Sequence, residues 1–155
     1  MVGPFRLAAP EAREDSSDLL FLPEATAADW AKVFEHAEPV RVSAGHAVLQ
    51  AGEEDRGLYL ITEGTLGVRL PRGESAFKAI EAPAVVGELA FFDGLPRSAT
   101  LEALTDVEAV RLDPAALDRL ADEEPELARL LLLGLARVLA LRLRMASDVI
   151  AELRG

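Results

Sequence analysis

The sequence predicts a mainly β fold with flanking helices, a jelly-roll β-barrel followed by one long C-terminal helix. Three observations predict it. Short apolar stretches recur between residues 40 and 112 and turn residues separate them, as in a barrel or sandwich of many short strands. In Leu66, Val68 and Leu70 the apolar positions alternate strictly, the period of a half-buried strand. From Pro125 to about Leu153 the period becomes helical.

Residues 1–18 hold two prolines, two serines and alternating charges, with little apolar content after Leu7, and read as a flexible N-terminal tail. Residues 19–155 read as one domain. Its first helix starts at Thr26, a cap with Asp29 three residues later in an acidic variant of the capping box. Trp30, Val33 and Phe34 give that helix an apolar stripe, and Pro39 is expected to end it. The strands are expected at Val40–Val42, Val48–Leu49, Leu58–Ile61, Leu66–Leu70, Phe77–Ile80, Val85–Val86, Ala99–Leu104 and Val107–Leu112. Asp113-Pro114 pairs a capping aspartate with proline at the first helical position, opening a short helix through Leu120.

The long helix, 125–153, carries two apolar stripes. One runs Leu127, Leu131, Gly134, Val138, Leu141, Met145; the other runs Leu132, Leu135, Leu139, Leu143, Ala146, Ile150, Leu153. A helix lying against one core needs a single stripe. The second face therefore predicts a partner. The first stripe, with coiled-coil spacing, is read as a homodimer seam; the alternative is that both stripes are buried within one chain.

Composition narrows the function. With no cysteine in 155 residues, disulfides, thiolate metal sites and thiol catalysis are excluded, and a reducing, cytoplasmic setting fits. The N-terminus shows no secretory signal pattern. Arg129, Arg137, Arg142 and Arg144 interrupt the apolar run near the end, so no membrane span is expected. The charge of −11 resides in residues 19–124, with 9 Lys/Arg against 20 Asp/Glu, which disfavours direct nucleic-acid binding. Only His36 and His46 are present, in different elements, so a metal-dependent barrel enzyme lacks its ligands and the chain is read as no enzyme.

One segment carries recognisable chemistry, Val86 to Thr100. A strand ends at Gly87, Glu88–Phe92 suits one short helical turn, and Asp93-Gly94 stops it. Free N–H groups at the start of such a turn suit a phosphate. Arg97, among small residues, can present two N–H donors to the same anion. Gly87 permits close approach. Glu88, an acceptor, suits a sugar hydroxyl. The set fits a compact ligand with an anionic phosphate and a free ribose hydroxyl. The structural alternative is that Glu88 and Arg97 pair with each other across the loop.

Gly87-Glu88-Leu89-Ala90 followed by Pro96-Arg97-Ser98-Ala99-Thr100 resembles the phosphate-binding cassette of cyclic-nucleotide-binding domains, such as catabolite-activator-type regulators and kinase regulatory subunits. Ala44–Glu53 and Gly57–Gly64 resemble the family's glycine-marked hairpins, and the likeness covers about residues 20–153. The resemblance implies that Glu88 accepts a hydrogen bond from the ribose 2′-hydroxyl and Arg97 pairs with the cyclic phosphate. It implies that Ser98 and the N–H groups of Leu89, Ala90 and Ala99 complete the cradle. It places the base near Arg142 and Leu143, where the family's Thr-Ser pair is absent; Arg142 is the candidate base contact and Arg144 reads as solvated surface. The implied ligand is cAMP or cGMP, cAMP ahead, with no further cofactor. The expected partners are a second copy through the C-terminal helix and a protein not identified by the sequence. No helix-turn-helix follows the long helix in these 155 residues, so a stand-alone signal-transducing receptor is expected. The alternative is the same fold acting as a dimerisation or interaction module with no physiological cyclic nucleotide.

Overall fold

A computed structural model of the chain describes residues 5–7, 20–21, 24–69 and 75–154. In chain order its elements are β1 (Phe5–Leu7), β2 (Leu20–Phe21), α1 (Ala27–Glu35), β3 (Glu38–Val42), β4 (Ala47–Leu49), β5 (Leu58–Glu63) and β6 (Thr65–Arg69). There follow β7 (Ser75–Glu81), β8 (Ala84–Val86), α2 (Glu88–Asp93), β9 (Thr100–Ala103), β10 (Val107–Leu112), α3 (Pro114–Glu123) and α4 (Pro125–Arg154). Strands form at all eight expected runs. Leu70, the third residue of the alternating set, lies outside the described residues.

The strands form two sheets, ordered β2-β1-β8-β5-β10-β3 and β4-β9-β6-β7. All pairings are antiparallel except β1 with β8. No hydrogen-bonded strand pair joins the two sheets among the described residues, so the expected jelly roll takes the form of two facing sheets. Leu49, Tyr59, Ile61, Leu66, Ala84, Val86, Leu101, Ala103, Val107 and Ala109 fill the space between the sheets.

A second core lies on the other face of the larger sheet. There Leu58, Leu60, Val85 and Leu112 meet Trp30 and Val33 of α1, Phe91 of α2, Ala116 and Leu120 of α3, and Leu127, Ala128, Leu131 and Leu135 of α4. The run Leu58–Ile61 is explained by this double burial. Alternate side chains go to opposite faces, and in β5 both faces are covered.

The helix ends follow their caps. The Thr26 hydroxyl accepts from the Asp29 N–H and the Asp29 carboxylate accepts from the Thr26 N–H, closing the expected capping box. Asp113 accepts from the Ala116 N–H at the start of α3, with Pro114 at the first turn. Two boundaries differ from expectation. Helix α1 stops before Pro39, which sits in β3 at the edge of its sheet, where a missing N–H is tolerated. Helix α3 runs past Leu120 to Glu123.

Within the expected N-terminal tail, Phe5–Leu7 is a strand paired with β8 and β2, because the backbone there completes the edge of the larger sheet. The rest of residues 1–18 lies outside the described residues.

Helix α4 is about 45 Å long at 1.5 Å per residue. Its buried positions 127, 128, 131 and 135 take members from both expected stripes. At 100° per residue they span an arc of about 100°, the width of an ordinary core-facing stripe. Leu127 and Leu131 are therefore committed to the chain's own core and are not free for a seam. Beyond Leu135, Leu143 is 70% exposed, Ile150 52% and Leu153 82%. No helix among the described residues is long and apolar enough to cross a membrane.

Leu131→Ala should cost about 2–5 kcal/mol of unfolding free energy in chemical denaturation, the range for emptying a closed core site. Leu153→Ala should stay within about 0.5 kcal/mol.

Candidate functional site

The cassette expected from the sequence forms a compact site beside the β4–β5 loop. Gly87 leaves β8 with a φ of 84°, a left-handed conformation open to glycine, and helix α2 starts at the next residue. A side chain at Gly87 would also collide. Its Cβ would lie 2.8 Å from Nη1 of Arg97 and 2.9 Å from the Gly57 carbonyl oxygen. Gly94, at φ 68°, closes α2 as expected, its N–H donating to the Ala90 carbonyl.

Arg97 lies at the centre. It is 6% exposed. Its Nη1 donates to the Gly87 carbonyl at 3.0 Å, and its Nη2 donates to the Gly57 carbonyl at 2.6 Å and to Oδ2 of Asp55 at 3.0 Å. The Tyr59 ring lies 5.9 Å from the guanidinium carbon. Nε is buried with no hydrogen-bond partner. An N–H left unpaired in such a place costs free energy until an acceptor arrives. The backbone of Arg97 is fixed too: its N–H donates to the Glu53 carbonyl at 2.8 Å and its carbonyl accepts from the Gly52 N–H at 2.9 Å.

Glu88 opens α2 and is 4% exposed. It does not pair with Arg97. Instead Nη1 of Arg142, 54 residues away on α4, donates to Glu88 Oε1 in a close ion pair. Burial pushes the Arg142 guanidinium below its usual pKa. The expected base contact is thus held against the expected ribose acceptor. Leu89 and Ser98 are exposed, Ala90 is buried and Ala99 half-buried, and Arg144 lies on the solvated surface as expected. His36 pairs with Glu123, and His46 is exposed in a bend.

The sequence reading missed the β4–β5 loop. Asp55 accepts from Nη2 of both Arg97 and Arg111, from the Gly57 N–H at 3.2 Å and from the Tyr59 hydroxyl at 3.2 Å. Arg111 also reaches Asp113, the α3 cap, at 3.5 Å. Arg56 donates to the Phe91 carbonyl at 2.9 Å and to the Ala90 carbonyl at 3.4 Å, at the end of α2. The only signal was an Asp-Arg-Gly sequence between two glycine-marked turns, which a solvated turn shows equally well.

Burial opposes ionisation of Asp55. The hydrogen bonds from Arg111, Arg97 and the Gly57 N–H, with the Arg111 charge, outweigh it and hold the carboxyl at about 2. A carboxyl depressed in the folded state stabilises it above the unfolded pKa, about 3.9, and that stabilisation disappears as pH falls through about 2.

The family profile described as "Cyclic nucleotide-binding domain" matches residues 39–124. The chain is 37% identical over 119 residues to a CRP-like cAMP-activated global transcriptional regulator of Mycobacterium tuberculosis, covering 75% of this chain and 51% of the regulator. It is 32% identical over 93 residues to a cyclic nucleotide-gated potassium channel of Mesorhizobium japonicum, covering 57% of this chain and 24% of the channel. The chain thus spans about half the length of the regulator and about a quarter of the channel. Among solved structures, the fold resembles the Thermus thermophilus catabolite activator protein, with a TM-score of 0.73 and 23% identity over 83% of this chain and 60% of that one. It also resembles the N-terminal domain of a transcriptional regulator from Streptomyces coelicolor, with a TM-score of 0.68 and 28% identity over 83% of this chain and 89% of that one.

Asp55→Asn should lower the melting temperature by an amount that is constant above about pH 5 and shrinks between about pH 4 and pH 2, as protonation removes the same charge from the wild type. Thermal unfolding of both proteins across that range checks it.

Proposed function

The chain belongs to the cyclic nucleotide-binding domain family, and on that premise we propose that it is a regulatory receptor module for a cyclic nucleoside monophosphate, cAMP ahead of cGMP. The family is a binding domain, and the chain is read as a binding module rather than an enzyme. The observation that carries the reading is Arg97. A guanidinium this buried, with Nε unpartnered beside the glycine that opens α2, is a prepared acceptor of an anion.

In this reading the cyclic phosphate takes the Nε–H of Arg97. Ser98 and the N–H groups of Leu89, Ala90 and Ala99 complete the cradle, and Gly87, where a Cβ would strike Arg97, makes the turn that opens it. The ribose 2′-hydroxyl donates to Glu88. That carboxylate is held by Arg142, so the incoming hydroxyl shares or displaces an ion pair that reaches α4. Ligand binding therefore acts on the long helix through unequal affinity for its two arrangements. The preference for cAMP draws on the similarity to the cAMP-activated regulator.

The helix passes the signal to a homodimer or another protein partner, not to nucleic acid, which the charge of −11 disfavours. The setting is the cytoplasm, which the cysteine-free composition fits. A seam built on the exposed residues Leu132, Leu133, Leu143, Ile150 and Leu153 replaces the one first expected on Leu127 and Leu131. The second reading, an interaction module with no cyclic nucleotide, draws on the same exposed face and on the partners that Glu88 and Arg97 already have within the chain.

Calorimetry on nucleotide-free protein, with cAMP and separately with cGMP, decides between the two. Binding at about 1 μM or tighter is expected for the preferred nucleotide, about −8 kcal/mol. Arg97→Ala should abolish it. Glu88→Gln should weaken it by about 10- to 100-fold, the loss of one charged hydrogen bond. No heat and no thermal stabilisation with either nucleotide would leave the interaction module.

A further inference from the structure

Resting on the reading of the cassette as a phosphate site, we propose that Arg56 is a positioning residue for nucleotide recognition: it fixes the end of α2 to the loop that holds Arg97, and so sets the spacing between two groups of phosphate donors. In that reading the donors come from two segments, the unpartnered Nε–H of Arg97 and the N–H groups of Leu89 and Ala90 in α2. A phosphate gains from both together only where their separation is fixed before it arrives. The β4–β5 loop grips the Arg97 segment by its backbone, through Gly52 and Glu53, and takes Nη2 on the Gly57 carbonyl. Arg56 belongs to the same loop and reaches the other segment. Its Nη2 donates to the Phe91 carbonyl at 2.9 Å and its Nε to the Ala90 carbonyl at 3.4 Å, which the Gly94 N–H also uses. Its Nε stands 3.4 Å from the place a Cβ would take at Gly94, so the guanidinium lies over the turn that ends α2.

A helix of six residues does not hold itself in water, and its last carbonyls have no partner within the helix. Three contacts hold α2. Phe91 sits in the helical core, Glu88 at its start pairs with Arg142, and Arg56 takes the carbonyls near its end. The ribose hydroxyl of the proposed ligand competes for Glu88, so the contact at the start of α2 is disturbed as the ligand enters. The contact at Arg56 faces the opposite end and is left intact. Glu53 and Glu54 lie close in sequence, yet among the described residues the Arg56 guanidinium goes to the two α2 carbonyls and to no carboxylate. A planar fork suits two adjacent carbonyls in a way that an ammonium does not.

The test uses the ¹⁵N-labelled full chain, the nucleotide that the wild type prefers and its two phosphorothioates, in which sulfur replaces one exocyclic oxygen or the other. In the nucleotide-free protein, Arg56→Ala should speed hydrogen exchange about tenfold at the Phe91 and Gly94 amides, which close α2, and leave the β5 amides unchanged. By calorimetry, Arg56→Ala should bind the nucleotide about tenfold more weakly, the loss of one charge-assisted hydrogen bond. Arg97 and the α2 amides come from different segments and meet different oxygens, so the ratio of the two phosphorothioate affinities should shift by about threefold or more. Unchanged exchange overturns the proposal, and so does faster exchange with unchanged binding. A loss equal for both phosphorothioates also overturns it, because lost charge or lost stability alone produces that. If Arg56→Ala fails to fold, Arg56→Lys, which keeps the charge without the fork, is measured in its place: a shifted ratio supports the proposal and an unchanged one overturns it. If the wild type binds neither nucleotide, the reading of the site falls and the proposal with it, whereas a binding wild type with an indifferent Arg56→Ala removes the proposal alone.

Discussion

Burying the charge of Arg97 is the constraint around which the site is built. A guanidinium out of water is tolerated only where acceptors surround it. The chain supplies two backbone carbonyls and one carboxylate, and each requires something of the sequence. The Gly87 carbonyl is within reach because Gly87 adopts a positive φ and carries no side chain. The Gly57 carbonyl is within reach because residue 57 leaves room for Arg111, whose Nε would lie 2.4 Å from a Cβ there. The carboxylate needs Arg111 as a second cation, and Arg111 in turn touches the cap of α3. Two glycines, two arginines and two aspartates thus answer to one buried charge.

The larger sheet places this assembly between two cores. Strand β5 is covered on both faces, with Leu58 and Leu60 toward the helices and Tyr59 and Ile61 toward the smaller sheet. Tyr59 therefore lies on the roll side, where its ring and hydroxyl serve Arg97 and Asp55. On the helical side, α2 inserts Phe91 into the cluster that holds Leu131 and Leu135 of α4. The cassette helix is thus linked to the long helix through the core that Phe91 shares with Leu131 and Leu135, and directly by the Glu88–Arg142 ion pair.

The parts of this structure that were legible in the sequence are those set by local chemistry. Strand runs, the Thr26 and Asp113 caps, the stop at Asp93-Gly94 and the two proline-led helices depend on residues within a few positions of one another. The cassette was legible because Glu88 and Arg97 are ten residues or fewer apart on either side of a recognisable turn. The partners of those two residues were not. Asp55 lies 42 residues from Arg97, and Arg142 lies 54 from Glu88. A pairing over that distance depends on sheet order and on where a helix crosses, which no local pattern encodes. The same limit explains the mistaken assignment of Leu127 and Leu131 to a seam. A heptad pattern says which residues share a face, and tertiary packing decides which face meets the chain's own core.

The two ion pairs of the site differ in what a ligand would ask of them. The Asp55–Arg97 contact has one arginine nitrogen to spare, so an anion can be added without breaking it. The Glu88–Arg142 contact occupies the carboxylate that the sugar hydroxyl would use, and Arg142, half-buried and desolvated, gains little from being left alone. On the proposed reading a phosphate would be added with the β4–β5 loop unmoved, whereas a ribose hydroxyl would require Glu88 to divide its oxygens or release α4. The proposed function would thus draw its affinity from the side of the site built on the β4–β5 loop and its response from the helical side, where Leu143 and Leu153 of the long helix are exposed.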